Sequence, residues 1–142
     1  MKVRQIMTEN VVTVGQREPV AHAARLMKRA NLGALPVCDD EGRLRGIVTD
    51  RDIVTRCVAG SEDPEEVPVR EIMSRGIVTC RADDDADELV HTMSARQVRR
   101  VPVTDGGKLI GMVSLADLAR SDLFNMEAAE ALSEISSNIL RK

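Results

Sequence analysis

One pattern occurs twice along this chain, and that duplication narrows the folds open to it more than any other feature. Val3-Arg4-Gln5-Ile6-Met7-Thr8 returns as Val69-Arg70-Glu71-Ile72-Met73-Ser74. In the same register Val12-Thr13 returns as Val78-Thr79, Met27 as Met93 and Pro36-Val37 as Pro102-Val103. One residue drops out in a turn, after which Gly46-Ile47-Val48-Thr49 matches Gly111-Met112-Val113-Ser114 and Asp52 matches Asp117. A register held over most of 142 residues makes the chain a tandem repeat of one small unit.

Each copy reads alike. A short β-type run (Val11 to Val14; Ile77 to Cys80) leads into an amphipathic helix. Its apolar positions are Val20, Ala23, Ala24 and Met27 in one copy and Ala86, Leu89, Val90 and Met93 in the other. Pro19 suits the first turn of the first helix, and Asp83, Asp84 and Asp85 suit the positive end of the second. Two strands joined by a polar turn follow: Ala34 to Cys38 and Leu44 to Thr49, then Val101 to Thr104 and Lys108 to Ser114. A closing helix is expected from about Asp50 to Val58 and from about Leu115 to Asp122. The expected fold is therefore α+β, two tandem β-α-β-β-α repeats packed with pseudo-twofold symmetry. The boundaries are 1–61, a linker 62–68, and 69–122, with a C-terminal helix within 123–142. Neither repeat is long enough to bury a comfortable core by itself.

Composition removes several function classes. Apolar residues make up 43% and charged residues 30%, as in a globular protein rather than a disordered one. Twenty Lys and Arg against 23 Asp and Glu give a net charge of −3, which argues against a nucleic-acid binder. One Phe, no Tyr and no Trp leave no aromatic platform, so any bound ring would lie between aliphatic side chains or against Arg. No apolar stretch reaches the roughly 18 residues of a membrane span, and the opening MKVRQIMTEN lacks a signal-peptide core, so a cytoplasmic location is expected. Cys38, Cys57 and Cys80 form no CxxC pair and read as buried spectators. His22 and His91 lie at non-equivalent positions without a ligand spacing. The run Asp83-Asp84-Asp85-Ala86-Asp87 reads as a helix start rather than a metal site. No Walker loop, Gly-x-Ser-x-Gly, or dinucleotide fingerprint is present, so no catalytic set is indicated.

The two glycine-led heptads are Gly46-Ile47-Val48-Thr49-Asp50-Arg51-Asp52 and Gly111-Met112-Val113-Ser114-Leu115-Ala116-Asp117. Each follows a Leu-Pro-Val or Val-Pro-Val strand, and each copy carries a Met-Thr or Met-Ser opening. In these features the chain resembles a tandem pair of cystathionine-β-synthase (CBS) domains, a Bateman module, over about residues 1–122. The resemblance implies a non-enzymatic regulatory module that binds adenosine-containing ligands: AMP, ADP, ATP, NAD or S-adenosylmethionine. It implies no catalytic cofactor, and a homodimer joined through helices.

Family similarity also implies where the ligands sit. One cleft would combine Thr49, Arg51 and Asp52 with Ile77, Val78, Arg99 and Arg100. The other would combine Ser114 and Asp117 with Val11, Val12, Leu32 and Gly33. Backbone N–H groups at the strand-to-helix junction and the Thr49 or Ser114 hydroxyl would serve a phosphate, Asp52 or Asp117 the ribose hydroxyls, and the valines and isoleucine an adenine face. With Arg51, Arg99 and Arg100, the first cleft is expected to prefer a phosphorylated nucleotide. Beside this stands a plainer reading: Thr or Ser three residues before Asp is an ordinary helix cap. A ligand-independent interaction or stress-response scaffold is the corresponding alternative function. The last helix, Met126 to about Leu140, carries a stripe of Ala128, Leu132, Ile135 and Ile139, expected to fold back on the module or cross to a second subunit. Docking of an unidentified regulated protein is the sharper alternative.

Overall fold

The computed structural model describes residues 1–120 and 125–141, with side chains given for 1–120 and 129–138. The elements are β1 (Val14–Gly15), α1 (Val20–Ala30), β2 (Ala34–Cys38), β3 (Leu44–Thr49), α2 (Asp50–Asp52), α3 (Ala86–Arg96), β4 (Arg100–Asp105), β5 (Lys108–Ser114), α4 (Leu115–Ala119) and α5 (Asn125–Arg141). Short 3-10 turns occupy Val3–Gln5 and Val69–Glu71, the two openings of the repeat. The fold is mixed α+β with two related repeats and a C-terminal helix.

The chain gathers into two compact units that do not coincide with the sequence repeats. One, here the Asp52 unit, comprises Val12–Ile77 and Gly107–Leu109; the other, the Asp117 unit, comprises Met1–Val11, Val78–Gly106 and the chain from Ile110 onward. The opening of the first repeat thus packs with the second, and the opening of the second with the first. The hydrogen bonds show why. Val3 N–H donates to the Asp84 carbonyl (3.0 Å), Arg4 N–H to Ala82 (2.9 Å), and Ala86 N–H to Met1 (2.9 Å). In the Asp52 unit Val69 N–H donates to Glu18 (2.8 Å), Arg70 N–H to Gln16 (2.9 Å), and Val20 N–H to Val67 (2.9 Å). Val3 and Val69 are both fully buried, each in the core of its own unit.

In the Asp52 unit, β1 runs parallel to β2 through Val14–Val37 and Gly15–Cys38, and β2 runs antiparallel to β3 from Ala34–Thr49 to Cys38–Leu44. Packed with this sheet are Val20, Ala23 and Met27 of α1, together with Val69, Ile72 and Met73. In the Asp117 unit, β4 pairs with β5, and Cys80 makes a single parallel bridge to Val103. Ala86, Leu89, Val90 and Met93 of α3 are buried here, as the helical spacing predicts.

Several sequence expectations are corrected. The run Val11 to Val14 contributes only Val14 to a strand, and Ile77 to Cys80 only the Cys80 bridge, because residues 11–13 and 77–79 find no ladder partner. Pro19 is the cap residue of α1, one position before its first turn. The helix expected from Asp50 to Val58 is α-helical only over Asp50–Asp52 and π-helical over Ile53–Val58, where the turn widens so that the Ala59 N–H reaches the Val54 carbonyl five residues back, at 2.9 Å. Helix α4 ends at Ala119; Asp122 lies outside the described residues. Helix α5 packs against α3 and α4 of its own unit, through Ala131 and Ile135, each 2% exposed. Leu132 stands exposed instead, and the side chains of Ala128 and Ile139 lie outside the described residues.

Candidate functional site

Both heptads fold into the same geometry at the end of a strand. Thr49 is extended (φ −115°, ψ 163°) and its Oγ1 accepts the Asp52 N–H at 3.1 Å, while Asp52 Oδ2 accepts the Thr49 N–H at 2.9 Å. Ser114 Oγ accepts the Asp117 N–H at 3.0 Å, and Asp117 Oδ2 accepts the Ser114 N–H at 2.9 Å. These are reciprocal capping boxes, and they hold the two carboxylates in fixed orientations. Asp52 is 8% exposed, the one buried charged residue among those described.

The capping also alters the chemistry expected of the junctions. In the Asp52 unit the first-turn amides are already committed: Asp50 N–H to the Gly33 carbonyl (3.0 Å), Arg51 N–H to Asp50 Oδ1 (2.8 Å), and Asp52 N–H to Thr49. In the Asp117 unit Leu115 N–H donates to the Arg99 carbonyl at 2.8 Å. The backbone N–H groups expected to serve a phosphate are therefore largely occupied by the fold. Each hydroxyl, having accepted one amide, keeps its own O–H to donate.

The residues that similarity pairs across repeats are distributed between the two units. Leu32, Gly33, Thr49, Arg51 and Asp52 share the Asp52 unit with Val12 and Ile77; Arg99, Arg100, Ser114 and Asp117 share the Asp117 unit with Val11 and Val78. Gly33 adjoins the Thr49 heptad, and a Cβ there would lie 3.3 Å from Asp50 Oδ2. Arg99 adjoins the Ser114 heptad, and Arg51, Arg99 and Arg100 are all exposed. Val11, Leu32, Ile77 and Val78 are half-buried, and Val12 is 37% exposed.

Two residues not singled out in the sequence reach the remaining oxygens of the carboxylates. Arg56 Nε lies 3.8 Å from Asp52 Oδ1, while its Nη1 donates to the Ile72 carbonyl at 3.1 Å. Arg120 Nη2 donates directly to Asp117 Oδ1. Their spacings, four and three residues after the Asp, are those at which helical side chains meet, which is the signal that could have found them.

Other chemistries find little support. Burial raises the thiols of Cys38, Cys57 and Cys80, that of Cys80 to about 11 with the Asp84 charge adding to the effect, so all three stay protonated at neutral pH. Among the described residues no group of three or more His, Cys, Asp or Glu side chains is placed to hold a metal ion. His22 pairs with Glu18 at 3.5 Å, and His91 is exposed.

The family model of the CBS domain matches residues 3–59 and 69–123. The chain belongs to the CBS domain family. It is 41% identical over 136 residues to the uncharacterized protein YlbB of Bacillus subtilis, covering 95% of this chain and 91% of that one. The crystal structure of Hypoxic Response Protein I with two coordinated zinc ions superposes with a TM-score of 0.78 at 39% identity, over 84% of this chain and 98% of that one. The CBS domain pair of protein MJ0100, solved in complex with 5'-methylthioadenosine and S-adenosyl-L-methionine, superposes with a TM-score of 0.75 at 28% identity, over 89% of this chain and 98% of that one.

Proposed function

We propose that this CBS pair is a non-catalytic regulatory protein whose ligand is an adenosine-containing small molecule of the class AMP, ADP, ATP, NAD and S-adenosylmethionine. The observation that carries the reading is the same buried or half-buried carboxylate, oriented by the same reciprocal hydrogen bonds, at the end of a strand in both repeats. The adenosine ligands of the MJ0100 complex support the choice of ligand class. Asp52 and Asp117 accept ribose hydroxyls, while Thr49 and Ser114 donate through their O–H. Val11, Val12, Leu32, Ile77 and Val78 supply aliphatic walls for a base, beside the small Gly33. Arg51, Arg99 and Arg100 attract phosphate. The bond between Leu115 and Arg99 supports grouping the two adjacent arginines with Ser114 and Asp117, so the preference for a phosphorylated ligand belongs to that junction.

The protein acts in the cytoplasm as a homodimer, and ligand binding shifts the equilibrium between arrangements that bind it unequally. Val54 and Val58, 58% and 60% exposed one helical turn apart, support a second copy covering that face. Among the described residues no helix is long and apolar enough to cross a membrane.

A second reading has its own support. Because each Thr/Ser–Asp pair already completes a capping box, folding alone accounts for the heptads, as a ligand-independent scaffold would require. Thermal unfolding with each of the five ligands separates the two. A ligand at about a hundred times its Kd adds about 2.7 kcal/mol, a midpoint shift of about 5–10 °C at this chain length. The matching variants are Asp52→Asn and Asp117→Asn, which keep an oxygen for the cap; alanine would orphan the Thr49 or Ser114 N–H. A shift lost in one variant supports the sensor. No shift from protein shown to carry no co-purified nucleotide supports the scaffold.

A further inference from the structure

The two capped carboxylates differ in what holds their second oxygen. Asp117 Oδ2 already accepts the Ser114 N–H at 2.9 Å and Oδ1 the Arg120 guanidinium, so a ribose hydroxyl that approaches Oδ1 competes with Arg120. The Asp117 side chain is 15% exposed and that of Arg120 is 74% exposed, so the arginine can swing away while the carboxylate cannot. At the other heptad Arg56 is not comparable. Its guanidinium donates to the Ile72 carbonyl at 3.1 Å and lies 3.5 Å from that of Met73, which leaves Nε 3.8 Å from Asp52 Oδ1, too far for a hydrogen bond.

We propose that Arg120 is a specificity-determining residue that makes the Asp117 junction favour anionic adenosine ligands over uncharged ones. The proposal rests on the adenosine reading above. A ligand hydroxyl that takes the place of Arg120 on Asp117 Oδ1 strips the guanidinium of its partner. A phosphorylated ligand supplies a replacement, since the planar fork of guanidinium matches phosphate oxygens at least as well as carboxylate oxygens. An uncharged nucleoside supplies none. Arg120 therefore opposes adenosine and exchanges partners with AMP. The Asp52 junction, its arginine tied to backbone carbonyls, lacks this discrimination.

The size follows from the exposure of the pair. Solvent-exposed ion pairs carry little energy, corresponding to about two- to fivefold in a binding constant. Removing Arg120 shifts adenosine and AMP in opposite directions, so their ratio moves by about tenfold.

The test is isothermal titration of AMP and of adenosine into the full chain carrying Asp52→Asn, which isolates binding at Asp117, with and without Arg120→Ala and Arg120→Lys. Arg120→Ala is expected to tighten adenosine about two- to fivefold and weaken AMP by a similar factor, with Arg120→Lys in between. A change that moves both ligands by one factor, as a loss of local structure would, overturns the proposal and leaves the adenosine reading standing. Binding of neither ligand by any variant, Asp52 restored included, overturns the adenosine reading and the proposal with it.

Discussion

At Gly46 the backbone of a neighbouring segment leaves room for a hydrogen atom and nothing larger, and at Gly111 it approaches almost as closely. Ile47 exchanges hydrogen bonds with Ser74 (3.0 and 2.8 Å), and Met112 with Thr8 (3.0 and 2.9 Å), so each heptad strand carries the Met-Ser or Met-Thr opening of the other repeat along its edge. A Cβ at Gly46 would lie 2.6 Å from the Ser74 carbonyl oxygen and 2.8 Å from Met73 Sδ; at Gly111 it would lie 3.0 Å from the Thr8 oxygen and 2.9 Å from Met7 Sδ. Sulfur at the end of a flexible side chain can give way, but a ladder-bonded carbonyl cannot. Gly46→Ala is expected to lose about 1–3 kcal/mol of stability in urea unfolding, and Gly111→Ala less, because its backbone contact is looser. Equal losses at the two sites would show that the methionines, not the carbonyls, set the limit. The heptad glycine and the Met-Thr opening are both visible in the sequence as repeated features. Their dependence on each other is not, because the contact joins positions far apart in the chain.

At the scale of elements, local pattern is a good guide wherever a side chain's neighbours are its own helix or hairpin. The apolar spacing of α3, the hairpin turn before Leu44, and the extent of β5 all follow from such neighbours. It fails for Val11 to Thr13 and Ile77 to Thr79, whose β-forming residues have no strand beside them. The acidic run before α3 reads in the sequence as one helix-start signal, yet its three members divide the work. Asp83 pairs with Arg4, Asp84 accepts the Arg81 N–H at 2.8 Å, and Asp85 caps the helix through the Asp87 N–H at 3.3 Å. The Arg4 guanidinium, through its hydrogen bond and then its charge, holds the Asp83 carboxyl below the ordinary range. In the turn between β2 and β3, burial pushes Asp39 up, but hydrogen bonds from Arg43, Arg45 and Glu41 outweigh it and hold that carboxyl low as well. A carboxyl held low binds its proton more weakly in the folded chain than in the unfolded one. Its stabilisation is complete above the unfolded value near about pH 4, and it fades as the pH falls through the folded value. The stability gap between the native protein and Asp39→Asn or Asp83→Asn should therefore be widest near neutrality and close in acid. Urea titrations at a series of pH values check it; a gap that widens on acidification would reverse the assignment.

For the molecule as a whole, the repeat that duplicates in sequence is not the unit that packs. A reader of the sequence draws the boundary in the linker, and 62–68 does look like one. In the structure that stretch is part of the Asp52 unit: the Pro64 and Val67 carbonyls accept the Ala21 and Val20 N–H groups at 2.8 and 2.9 Å, capping the start of α1. The first residues of the chain do the corresponding work for α3, where the Met1 carbonyl accepts the Ala86 N–H and Val3 fills the core among Leu89, Val90 and Met93. The two openings share their residue types, Val3-Arg4-Gln5-Ile6-Met7 against Val69-Arg70-Glu71-Ile72-Met73, and the hydrogen bonds place each beside the core of the other repeat. The consequence can be measured by deleting residues 1–8. If sequence repeats were the packing units, the deletion would loosen α1 and β2. The structure requires the reverse. Losing Val3 removes about 1.5–3 kcal/mol of burial from the Asp117 unit, and losing Thr8 strips Met112 of its edge partner. Amide hydrogen exchange across α3 and β5 should accelerate by about ten- to a hundredfold, while α1 and β2 keep their protection. Acceleration confined to α1 would return the boundary to the linker. The reciprocal lesion makes the comparison complete: Val69→Ala, in the fully buried counterpart of Val3, should loosen α1 and leave α3 protected.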